Sequence, residues 1–232
     1  MIPLFSINLF LAGVIALGIA LRLSLSYRRR RSIGVYYFGM FYFLLGIFFV
    51  LNGVPLFTDN LLLITWASMI GYGAFLLSLG YNIYTSFSMG RRQELARLLF
   101  DVFAFAAVFV IFARIINFQL SVVEITGQYI YWRPEFSSVI RTIIGVGAST
   151  VFALSGFIFF REGIRHKKDL TIYWRSLFLG FGMLAFLVAA FFGLLLATFV
   201  EYFLSVLVAT LFVVMGLLLA LRGIMYRMGE AL

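Results

Sequence analysis

The chain has 232 residues, 64% hydrophobic and only 12% charged, with a mean hydropathy of +1.09 and a formal net charge of +9. A soluble domain carries about a quarter charged residues, so this apolar excess requires lipid as its solvent, and basic residues clustered between apolar stretches make the charge a topology signal that argues against a nucleic-acid partner. The absence of cysteine excludes disulfides, thiolate metal sites, iron–sulfur clusters and cysteine nucleophiles.

No charged side chain occurs in 1–21, 32–58, 60–90, 142–160, 176–200 or 202–221, and 98–118 is apolar apart from Asp101 and Arg114. Such stretches suffice to cross roughly 30 Å of hydrocarbon at about 1.5 Å per residue. The expected fold is all-α: a single seven-transmembrane-helix bundle over 1–232, with spans at about 3–25, 33–53, 61–88, 98–118, 137–160, 171–198 and 202–222. In the first span the positive charge follows the apolar core, as Arg28 to Arg31. That order predicts a retained helix with its N-terminus outward rather than a cleaved leader. Gly39, Gly46 and Gly53 recur every seven residues on the second span, a packing seam.

The third span carries Ser68, Gly71, Phe75, Ser78, Asn82 and Thr85 at alternating spacings of three and four, which places them on one helix face. That face reads as a packing seam or as the polar wall of a solute pocket; Asn82 is its most informative member, because an amide in hydrocarbon needs a partner. On the fourth span Asp101 sits one turn after Arg97, a structural pair at a helix start, and Asn117 lies one turn beyond Arg114 on a face it can share. Residues 119–136 form the longest external segment; Val122 to Trp132, around Thr126-Gly127, reads as a small hairpin or an interfacial flap. Pro134 and Glu135 suit the first turn of the fifth helix, which then carries Arg141 and the series Ser149, Gly156, Gly163. His166, the only histidine, belongs to a solvated basic loop with Arg165, Lys167 and Lys168. Ten residues follow Arg222, and no soluble output domain is expected.

With seven spans, Arg22, Arg28 to Arg31, Arg91, Arg92, Arg97, Arg161, Arg165, Lys167, Lys168, Arg175, Arg222 and Arg227 all fall on one side. Only Arg114, Arg133 and Arg141 fall on the other. The positive-inside rule makes the first side cytoplasmic and the chain a multi-pass protein of the inner or plasma membrane. Tyr36-Tyr37 and Tyr173-Trp174 open the second and sixth spans, and a shift of about 136 residues superposes them, suggesting a 3+1+3 pseudo-repeat.

One histidine and no cysteine leave no bis-histidine haem, zinc site or Ser-His-Asp triad. Both lysines lie in a loop, so a retinal Schiff base has no partner; no acidic residue lies near the centre of a span, which disfavours a proton-coupled carrier. No enzyme activity, cofactor or metal is expected. The candidate ligand-binding residues are Arg114, Asn117, Arg141 and Glu201 on the outer side, where two guanidinium groups suit a carboxylate or phosphate, together with Ser68, Ser78 and Asn82 on the third span. Helix count and orientation resemble those of prokaryotic seven-helix receptor and sensor bundles; no specific motif accompanies the resemblance, so it assigns no residue. With the outer charged cluster above an otherwise apolar bundle, it points to a receptor or sensor-like module that binds a small or lipid-like ligand from outside and signals to a cytoplasmic or membrane protein partner. The alternatives are a facilitative solute carrier or channel of 3+1+3 design and an accessory subunit of a membrane complex.

Overall fold

The structure, a computed structural model, describes residues 1–89, 93–135, 137–198 and 201–226. Arg91, Arg92 and Arg227 of the basic set lie outside the described residues. Among the described residues there are seven helices long and apolar enough to cross a membrane, as expected for a multi-pass membrane protein. They are α1 (Leu4–Arg30), α2 (Ile33–Asn52), α3 (Leu61–Met89), α4 (Gln93–Ile116), α5 (Ser138–Arg165), α6 (Leu170–Ala190) and α7 (Tyr202–Met225). Two strands, β1 (Val122–Thr126) and β2 (Tyr129–Arg133), separate α4 from α5.

Several helices outrun the hydrophobic spans that announce them. α1 continues through Ser26 to Arg30, α4 begins at Gln93 and takes in Glu94 and Arg97, and α5 runs on to Arg165. Backbone hydrogen bonding does not stop at the edge of the hydrocarbon, and long basic side chains carry their charge to the interface. Helix starts are set by short polar side chains. Asn60 Oδ1 accepts from the Leu62 and Leu63 amides ahead of α3, and Asp169 Oδ1 accepts from Thr171 and Ile172 at α6. Pro134 and Glu135 precede α5 instead of forming its first turn. Ser137 takes the capping place, accepting from the Ile140 amide through Oγ and from the Arg141 amide through its carbonyl. α6 passes directly into a π-helical turn, Phe191–Leu195, and a 3₁₀ turn, Leu196–Thr198.

The chain forms two compact units, Met1–Ile144 and Gly145–Leu232. In the first, α1 packs on α2, α2 on α3 and α3 on α4. The α1–α2 seam is lined by glycines. A Cβ on Gly13 would stand 2.7 Å from Val50 Cγ2, and one on Gly46 would stand 2.7 Å from Leu17 Cγ. Gly39, Gly46 and Gly53 all face α1, so the seven-residue series is a packing seam. In the second unit Gly156 and Gly163 of α5 face α6, and Gly182 of α6 and Gly216 of α7 each sit against the other's carbonyl oxygen. Small residues admit such approaches, and in lipid the dispersion gained there replaces the missing hydrophobic force.

Candidate functional site

The most elaborate polar assembly of the first unit lies at the hairpin end. β1 and β2 pair antiparallel, Val122 opposite Arg133 and Thr126 opposite Tyr129. The two-residue turn places Gly127 at φ +60° in its first central position, where a glycine meets no steric penalty. A third segment joins: the Ile2 amide donates to Gln128 O at 2.9 Å, and the Ile130 amide donates to Ile2 O at 3.2 Å. Phe5, in the first turn of α1, packs edge-on against Tyr131 with ring centroids 5.5 Å apart.

One face of this small sheet is charged. Glu124 lies opposite Tyr131 and diagonal to Arg133, the alternation that puts cross-strand partners on one face. Tyr131 donates from its hydroxyl to Glu124 Oε2 at 2.7 Å. Arg133 bridges two carboxylates, Glu124 Oε1 at 3.0 Å and Glu135 Oε1 at 3.2 Å. Burial pushes the Tyr131 phenol above its ordinary pKa, and the hydrogen bond to the Glu124 carboxylate pushes the same way.

Three helices hold the sheet. α1 does so through Phe5 and through Ile2, two residues ahead of the helix. α3 does so through Thr65, whose Oγ1 accepts from the Ser121 amide at 2.9 Å, just before β1. α4 does so through Arg114, which is 3% exposed. Its guanidinium donates to the Glu135 carbonyl and, at 3.3 Å, to the Gln119 carbonyl, so one side chain grips both feet of the hairpin.

The sequence-selected residues therefore separate into groups. Arg114 is buried and engaged with backbone. Asn117, three residues on, is exposed and donates to Ala113 O; α4 has ended at Ile116, and the turn carries Asn117 off the buried face. Arg141 is half-buried on the first turn of α5, and its side chain makes no hydrogen bond or ion pair among the described residues. It lies, with Arg114, within electrostatic reach of Tyr72 on α3. Glu201 belongs to the second unit, where it stands exposed immediately before α7.

The α3 face is closed. Ser68, Ser78, Asn82 and Thr85 are 5%, 0%, 0% and 0% exposed. Gly71 faces Asn52 of α2, and the Phe75 ring lies 4.8 Å from that of Phe48. Ser78 and Thr85 donate back to carbonyls of their own helix. Sequence reasoning missed the Thr65–Ser121 link and the Glu124–Arg133–Glu135 chain. The strand alternation of 124, 131 and 133 was a signal for the second; nothing in local sequence signalled the first, which joins residues 56 positions apart. Comparison of the chain with protein-family models, with curated proteins and with solved structures finds no match.

Proposed function

We propose that the chain is a receptor-type membrane module whose strand cap, on the outer side, takes a small anionic or lipid-like ligand beside Arg141. The observation that carries this reading is the attachment of one cap to α1, α3 and α4 together. A ligand that displaces the cap acts on three spans at once, as a sensor requires. Arg141 supplies the cation; Arg114 is committed to the hairpin carbonyls and serves as the coupling post. The distribution of Lys and Arg supports a cap on the outer side and an Arg28–Arg31 end in the cytoplasm, where a protein partner would receive the signal. The closed polar face of α3 supports packing over a solute path.

The absence of native cysteine makes the test clean. Ile125 is 55% exposed, so Ile125→Cys accepts an environment-sensitive fluorophore without entering a packed region. A saturable fluorescence change with a carboxylate, phosphate or lipid-like compound, lost in Arg141→Gln, supports the receptor. Saturable flux of the same compound in proteoliposomes replaces it with a carrier. That second reading draws on the π-helical turn at the end of α6, a local break in regular helix of a kind found at functional sites.

A further inference from the structure

A groove runs between α1 and α2 at the opposite end of the first unit, away from the cap, with a volume of about 580 Å³. That is the size of a small-ligand pocket, roughly 300–1,000 Å³. Along its length the lining is apolar, including Leu17, Leu21, Met40 and Phe43, while one end carries Tyr27, Arg28 and Tyr36. From Arg28 to Leu17 the groove follows α1 for about 16 Å, close to half of the roughly 30 Å hydrocarbon core, so it spans one leaflet.

Two further observations mark that end as an anion site at headgroup depth. Tyr27, Tyr36, Tyr37 and Tyr84 form a chain of ring contacts with centroids 5.4, 5.5 and 4.3 Å apart, and amphipathic rings settle at the interface. Neither α1 nor α2 contains any Asp or Glu, since the first acidic residue of the chain is Asp59. The Arg28 guanidinium makes no hydrogen bond or ion pair among the described residues, and Arg29 and Arg31 follow it. The counter-charge for this basic run therefore comes from outside α1 and α2.

We infer that the α1–α2 groove is a binding site for an anionic phospholipid, with one acyl chain along Leu17, Leu21 and Phe43 and the phosphate at Arg28 between Tyr27 and Tyr36. Arginine suits this task because its planar fork matches phosphate oxygens and stays charged. The site is independent of the ligand proposed at the cap.

The test uses the full chain in neutral detergent, with phosphatidylglycerol and phosphatidylcholine of matched acyl chains added. Retained lipid is counted by native mass spectrometry, and thermal stability is followed in parallel. Phosphatidylglycerol is expected to be retained about fivefold more than phosphatidylcholine, in line with the gain per basic residue at an anionic surface. Arg28→Gln removes that preference and leaves basal stability unchanged. Leu21→Trp, at a position 63% exposed and so harmless to packing, fills the groove and lowers retention of both lipids. Equal retention of the two lipids by the unaltered chain overturns the inference, as does undiminished preference in Arg28→Gln or unchanged retention in Leu21→Trp. Stabilisation by inorganic phosphate equal to that by phosphatidylglycerol assigns the Arg28 end to a free anion and likewise overturns it.

Discussion

Arg114 shows how much one side chain settles at the cap. A guanidinium buried in an apolar span needs acceptors, and it takes two backbone carbonyls from the segment that folds back over it. Hydrogen bonds to a charged group are worth about 1.5–3 kcal/mol each, so Arg114→Ala should cost about 3 kcal/mol or more. Limited proteolysis should then cut within 119–135 well below the unfolding temperature. Arg114→Lys should recover less than half of the loss, because an ammonium cannot span both feet of the hairpin. Charge and position singled out Arg114 in the sequence, but its partners were not legible, since they are carbonyls brought back by a turn. The raised pKa of Tyr131 has its own consequence. Its contribution to stability is complete below the ordinary tyrosine value of 10.0 and is lost as pH rises through the higher folded value. Tyr131→Phe keeps the ring against Phe5 and should abolish the alkaline loosening of the cap, followed by protease sensitivity between pH 9 and about 12.

The seams between helices were partly legible. Gly46 recurs in a seven-residue series and lies in a packing seam, as its spacing implied, with α1 as the partner. Gly13 and Gly18, both inside α1, look alike in sequence and differ in space. The first is wedged against Val50, whereas a Cβ on the second has nothing within 4 Å. Gly13→Ala should therefore lower stability by about 1–3 kcal/mol through overpacking. Gly18→Ala should raise it by about 0.5–1 kcal/mol, because the backbone loses less freedom on folding. Paired melting curves in one detergent test both signs together. Span ends were less legible, because apolar length fixes where hydrocarbon is crossed but not where helical hydrogen bonding stops; α4 accordingly begins five residues before the expected span. The π-helical turn in Phe191–Leu195 left no mark, as its residues are those of any apolar helix.

At the scale of the whole chain, spacing between charges was enough to anticipate the seven helices that, among the described residues, are long and apolar enough to cross a membrane, because the cost of a charge in hydrocarbon exceeds any local propensity. Which side each end occupies rests on the distribution of Lys and Arg. Cysteines introduced singly at Ser32 and Ile125 should label from opposite faces of intact cells, Ile125→Cys from outside. Labelling of both from one face would reverse or break the proposed topology. The hairpin was legible because Thr126-Gly127 interrupts a β-branched and aromatic run; the bridge from Ile2 was not, since Ile2 lies 127 positions from its partner Tyr129.

Thr65 gears α3 to the loop outside it. Its hydroxyl is the acceptor for the Ser121 amide while donating at 2.7 Å to Leu61 O. Turning α3 by a single residue step, about 100°, would swing that oxygen to another flank and strand the amide. A screw motion begun at the far end of α3 thus cannot stay silent: a nitroxide or dye near position 121 would register it.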